Sequence, residues 1–197
     1  ITPTDKRGRV LEEAVESLVR HQAEHINGAL IEGETGGFRL QTDEQMRSML
    51  EYVIGSVSRL PEEKRFAVLF NATCRNTNET IKLVKYANDK ADGIVVAPMH
   101  FSPTGDVAVN ATNRVANQAD IPLFIYDNAE IAQYPDHGII GPDNFRKMAE
   151  HPMIYGIKAS SEDLILFHEY EKIARDHGGT AFIGNESLMA RSLSRHA

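Results

Sequence analysis

The stretch MIYGIKASSEDLILFHEYEKIARDHGGTAFIGNE, residues 153–186, encodes a strand, a helix and a second strand in turn. MIYGIK is a short apolar run that ends on Lys158. Ser161 stands where it can cap a helix from Glu162 to Asp176, and TAFIG supplies a strand near Thr180 to Ile183. Both runs are continuously apolar rather than alternating, as expected of parallel strands covered on both faces.

The same unit repeats towards the N-terminus. A helix is expected from about Val10 to Glu24, with Leu11, Val15, Leu18 and Val19 on one stripe. GALIEG reads as a strand from Gly28 to Glu32, and Thr42 or Asp43 caps a helix carrying Met46, Met49, Leu50, Val53 and Ile54. A strand from Phe66 to Phe70 precedes a helix that starts at Asn76 or Thr77. GIVVAP is a strand from Gly93 to Ala97, followed by a helix near Val107 to Gln118 and a strand from Ile121 to Tyr126. Pro142 opens a helix reaching about Glu150, and a last helix begins near Glu186.

Six strands, each followed by a helix, fit either a doubly wound open sheet or part of a (β/α)8 barrel. Neither G-x-G-x-x-G nor G-x-x-x-x-G-K-[ST] occurs, which removes the signatures of the nucleotide-binding open sheets. No linker divides residues 1–197, so the chain is read as a single domain, and periodicity alone does not choose between the two architectures.

Acidic residues outnumber basic ones by 28 to 21, a net charge of −7. That field repels phosphate backbones and anionic lipid, so neither nucleic acid nor membrane is an expected partner. A single cysteine, Cys74, allows no intramolecular disulfide and fits a reducing cytoplasm. No apolar run approaches the roughly 20 residues of a membrane helix.

A barrel keeps its chemistry at the C-terminal strand ends. Those ends are Gly33-Glu34-Thr35-Gly36-Gly37, Asn71-Ala72-Thr73, Pro98-Met99-His100-Phe101, Tyr126-Asp127-Asn128, Lys158-Ala159-Ser160 and Gly184-Asn185-Glu186. Most such residues are polar simply because every strand must end in a loop. Lys158 is singled out because a lysine in a dry barrel mouth is less willing to be protonated, and a neutral amine attacks a ketone. Tyr126 ends a neighbouring apolar run with a phenol able to pass a proton. The glycine-rich turn GETGG offers backbone N–H groups to an anion such as a carboxylate.

Together these strand ends resemble the dihydrodipicolinate synthase/N-acetylneuraminate lyase family of class I aldolases. The likeness runs from Thr2-Pro3 through Gly33-Glu34-Thr35-Gly36, Pro98, Ile125-Tyr126-Asp127-Asn128 and Gly156-Ile157-Lys158 to Gly184-Asn185-Glu186. The resemblance implies a TIM barrel in which Lys158 forms a Schiff base with pyruvate or another 2-oxo acid. It also implies that Tyr126 handles protons, while Thr35 with Gly33 and Gly36 holds the substrate carboxylate. Glu34, His100 and Gly184 complete the expected substrate-binding set. No metal and no cofactor beyond the lysine imine is expected. Relatives of this kind are often homotetramers, so a homo-oligomer is expected.

Five departures qualify the resemblance. Glu34 stands where the family has Ser or Thr, and Gly37 where it often has Glu. The second tyrosine near His100 and the arginine after the Tyr126 motif are both missing, which argues against a dicarboxylate product. A carboxylate–imidazole pair of Glu34 and His100 is the expected replacement for the hydroxyl relay. In length, 197 residues fall short of the about 250 of a closed barrel, with the first and eighth strands expected to be missing.

Other readings remain. A sugar-acid dehydratase uses the same imine, and a non-catalytic relative binds the 2-oxo acid without turnover. His21-Gln22-Ala23-Glu24-His25 matches the zinc pattern H-x-x-E-H but lacks a third ligand, and is read as a polar helix face.

Overall fold

The structure, a computed structural model, describes residues 2–101, 105–128 and 140–193. Six strands form one parallel sheet: β1 (Gly28–Ile31), β2 (Ala67–Asn71), β3 (Gly93–Val96), β4 (Leu123–Asp127), β5 (Ile154–Ala159) and β6 (Thr180–Ile183). Their spatial order is β1-β2-β3-β4-β5-β6. This order separates the two architectures that periodicity left open. A doubly wound sheet reverses direction at a switch point, whereas a barrel wall adds each strand beside the last. The sheet is six strands of an incomplete (β/α)8 barrel, with β1 and β6 at its two ends.

Alternation along the strands divides the residues between two faces. Ile94, Val96, Leu123, Ile125 and Ile157 join the core beneath the helices. Val95, Ala97, Phe124 and Tyr126 form a second cluster on the other face, with Leu30 and Leu69 against it. Every residue of β3 and β4 is buried, which is why β3 is apolar throughout and β4 is apolar up to Tyr126, before it ends on the buried Asp127.

The outer layer comprises α1 (Glu12–Gln22), α2 (Asp43–Ser58), α3 (Thr77–Ala87), α4 (Pro98–Phe101), α5 (Gly105–Ala116), α6 (Pro142–Ala149), α7 (Leu164–Asp176) and α8 (Glu186–Leu193). Thr42 caps α2 in a full capping box with Gln45, and the Asn76 side chain accepts from the Glu79 amide to cap α3. Among the described residues no helix is long and apolar enough to cross a membrane.

Several boundaries move from their expected places. Helix α1 starts at Glu12 because Val10 is used in a bridge to Thr4, closing a turn whose Asp5 carboxylate accepts from Arg7 and Arg9 amides. Val15 and Val19 are buried on α1, but Leu11 and Leu18 each remain 43% exposed. The cap of α7 is Asp163, not Ser161: its carboxylate accepts from the Ile165 and Leu166 amides, while Ser161 accepts from Asp163 itself. Strand β5 runs on to Ala159, so the chain needs the extra residues to clear the sheet before turning. Helix α4 and the 3-10 turns Glu34–Gly36, Phe38–Leu40 and Glu62–Lys64 are too short to leave a period in the sequence.

Candidate active site

All six strands point the same way, so their C-terminal ends share one rim. On that rim the β4–β5 register sets Tyr126 directly beside Lys158, and the β5–β6 register sets Lys158 beside Phe182. The Lys158 Nζ lies 4.2 Å from the centroid of the Tyr126 ring. Tyr126 is buried, and its hydroxyl accepts a hydrogen bond of 3.0 Å from the Asn128 side-chain amide. Lys158 is half-buried and borders a largely apolar cavity of about 440 Å³ that runs along the inner face of the sheet, past Leu69, Val95 and Phe124, to Gly28 and Ala67 at the starts of β1 and β2.

Two glycines make this placement sterically possible. A Cβ on Gly156 would stand 1.9 Å from the Thr180 carbonyl oxygen, so only glycine lets β6 pair with β5 there. A Cβ on Gly184 would stand 3.0 Å from Lys158 Cε and 2.2 Å from Ser160 Oγ. Gly184 is therefore the residue whose smallness leaves room for the lysine tip.

The glycine turn lies at the end of β1. Its carbonyl at Gly36 accepts from the Thr2 hydroxyl and the Gln41 amide. The amides of Gly36 and Gly37 are used inside the turn, bonded to the Gly33 and Glu34 carbonyls. They are not bare donors, which narrows the sequence expectation for GETGG. Gly37 has a φ of 76° and Gly33 a φ of −73°, so the left-handed glycine is the last of the run. Phe38, the next residue, packs in the same cluster as Tyr126 and Ala97 and links the turn to the rim. Thr35 is exposed on the turn.

Glu34 is engaged by the Arg39 guanidinium, and its other carboxylate oxygen is buried without a hydrogen-bond partner among the described residues. His100 packs edge-on against Phe38 with 5.6 Å between ring centroids. The arrangement departs from the expected Glu34–His100 pair and brings in Arg39, which sequence reasoning missed. The signal was a cation five residues after an unusual acid in the turn. Residues Ala129, Glu130 and Ile131, where the missing arginine was noted, lie outside the described residues.

Two further features were also missed. A buried polar chain ties three strand ends together. The Asn71 amide donates to the Glu32 carbonyl, Thr73 donates its hydroxyl to Asn71, and the Ala97 amide donates to Thr73. Glu32 itself has a φ of 58°, is 2% exposed, and has no hydrogen-bond partner for either carboxylate oxygen among the described residues. Burial pushes its carboxyl up to about 8, with the Gln41 side chain pulling the other way.

The remaining candidates stand apart. Cys74 is buried with its thiol pushed up to about 12 by desolvation and then by the Asp43 and Glu79 charges, which suits packing rather than nucleophilic attack. His21 is exposed in the last turn of α1 and His25 is exposed in the turn beyond the helix, and the intervening Glu24 pairs with Lys64 at 2.5 Å. Among the described residues no three His, Cys, Asp or Glu side chains group so as to hold a metal ion.

Comparison with known proteins adds sequence and fold likeness to this geometry. A family profile described as the Dihydrodipicolinate synthetase family matches residues 1–195. A 4-hydroxy-tetrahydrodipicolinate synthase of Acidiphilium cryptum is 31% identical over 169 residues, covering 83% of this chain and 54% of the relative. A prophage protein of E. coli K12 from the dihydrodipicolinic acid synthase family, solved with pyruvate, superimposes with a TM-score of 0.87 at 20% identity over 98% of this chain and 64% of its own. The 2-keto 3-deoxygluconate aldolase from Picrophilus torridus gives 0.85 at 21% identity, covering 98% and 68%. The chain thus spans little more than half the length of the first of these relatives.

Proposed function

Because this chain belongs to the dihydrodipicolinate synthetase family, we propose that it serves a lysine-imine lyase acting on pyruvate or another 2-oxo acid. The observation that carries the reading is the register pair of Lys158 and Tyr126, with the lysine bordering an apolar cavity on the inner face of the sheet.

The chemistry follows from what each group offers. The Lys158 amine attacks the 2-oxo carbon, and the carbinolamine loses water to give an imine. The Tyr126 hydroxyl supplies the proton that leaves with that water and recovers it on hydrolysis. The protonated imine draws electrons from the adjacent carbon. When the next carbon–carbon bond breaks, the far carbon's hydroxyl passes its proton to the Tyr126 oxygen, the bond's pair becomes the enamine and the far fragment departs as an aldehyde; Tyr126 then returns that proton to the enamine carbon. On this reading the substrate carboxylate is received by the turn Glu34–Gly36 at the end of β1, where the Thr35 side chain is exposed while the Gly36 amide is already bonded within the turn.

A second reading is favoured by Glu34. Its unpaired, buried carboxylate oxygen is an acceptor suited to a substrate hydroxyl or to the proton lost in an elimination. On this reading the same imine drives dehydration of a sugar acid.

Solvent deuterium exchange tests the shared step. The protein should wash deuterium into the methyl group of pyruvate in heavy water, and a Lys158→Ala variant should not. Binding of pyruvate without exchange would instead mark a non-catalytic relative. Product analysis with hydroxylated 2-oxo acids and with sugar acids then divides aldol cleavage from dehydration.

A further inference from the structure

We propose that Asp127 is a positioning residue that fixes the hydroxyl of Tyr126 and the strand end carrying Lys158. The inference rests on the reading of those two residues as the reacting pair.

Asp127 lies between Tyr126 and Asn128 on β4 and is 2% exposed. Strand alternation turns its side chain away from the Tyr126 face and towards the helices. There one carboxylate oxygen accepts 2.6 Å from the Tyr170 hydroxyl of α7, and the other accepts 3.0 Å from the Ile140 amide. Tyr170 in turn accepts 3.0 Å from the Gly141 amide at the start of α6, and its ring meets Phe145 of α6 edge-on at 5.6 Å. The Asp127 carbonyl accepts 2.9 Å from the Ser160 amide, two residues beyond Lys158. One residue thus joins β4, the end of β5, α6 and α7.

Burying a carboxylate is costly, and an apolar side chain would fill this site more cheaply. The placement has a consequence on the opposite face. With the backbone at residue 127 held from both sides, the Asn128 amide is aimed at the Tyr126 oxygen at 3.0 Å. A phenol that relays protons works only when its oxygen and hydrogen are directed, and small displacements are felt strongly in rate.

The test uses 3-fluorotyrosine at position 126, read by fluorine NMR, in the parent, Asp127→Asn and Tyr170→Phe proteins. Asp127→Asn keeps the volume but replaces an acceptor with a donor; Tyr170→Phe keeps the carboxylate but removes its strongest partner. The resonance at position 126 should move in both. In matched proteins with ordinary tyrosine, kcat should fall at least about tenfold while KM for the 2-oxo acid changes less than about threefold. An unmoved resonance in both variants, or losses of kcat that only track the folded fraction, would overturn the proposal. If Asp127→Asn fails to fold, Tyr170→Phe carries the same measurement. If the parent forms no imine with pyruvate, the functional reading fails, and the fluorine resonance still decides the role of Asp127.

Discussion

Lys158 and Tyr126 are register partners on adjacent parallel strands, with the amine 4.2 Å from the centre of the phenol ring. In the proposed reaction the contact joins a nucleophile to a proton carrier, and each can be removed separately.

Tyr126→Phe keeps the buried ring and the surface under the lysine but removes the hydroxyl. Asn128 loses an acceptor, which costs about 1 kcal/mol of stability. The loss in kcat should be much larger, about 10²- to 10⁴-fold, as for removal of a general acid–base group. Steady-state kinetics beside thermal unfolding separates the two effects.

Gly184→Ala places a methyl group against Lys158 Cε and Ser160 Oγ. The overpacking should cost on the order of 1–3 kcal/mol. Because one clashing atom belongs to the lysine tip, the rate of imine formation should drop even at temperatures where the variant is fully folded. Stopped-flow measurement of pyruvate binding checks this, and an unchanged rate would remove Gly184 from the site.

Glu32 makes stability depend on pH with a defined sign. Its folded carboxyl titrates at about 8 against 4.5 unfolded, because burial disfavours the charge. Between those values the folded protein holds a proton that the unfolded chain has released. Stability is therefore full below about pH 4.5 and falls as pH rises through 8, by an amount on the order of a few kcal/mol. Asp127, also raised by burial, adds a slope of the same sign, so the comparison is with Glu32→Gln. Urea unfolding at pH 5 and pH 8 should show a smaller loss for the variant; parallel curves would contradict the assignment.

Glu34→Gln weakens the pair with Arg39, which is partly exposed, so the stability change should stay within about 1 kcal/mol. If Glu34 takes or gives a proton in turnover, the pH–rate profile loses a limb. A profile identical to the parent's would end that role and leave Glu34 as an anchor for Arg39.

The sequence carried the repeating unit clearly because each strand is apolar on both faces and each helix has a stripe. Strand β6 falls at Thr180–Ile183 as expected, and Thr42 and Asn76 cap where short polar side chains precede a periodic run. The choice between open sheet and barrel needed strand order, which no local pattern encodes. At the site, Lys158 and Tyr126 stood out as polar residues closing apolar runs, but their pairing depends on register between strands. Asp127 and Tyr170 are 43 residues apart, and nothing local links them. Glu32 was hidden for another reason: glutamate is a poor marker for a left-handed backbone, and its burial comes from neighbours distant in sequence.

The most direct measurement is reduction with borohydride in the presence of pyruvate, followed by mass mapping of the peptides. A single stable adduct on Lys158, absent without pyruvate and slowed in Tyr126→Phe, is the result this account requires. An adduct on another lysine, or none while pyruvate is bound, would contradict it.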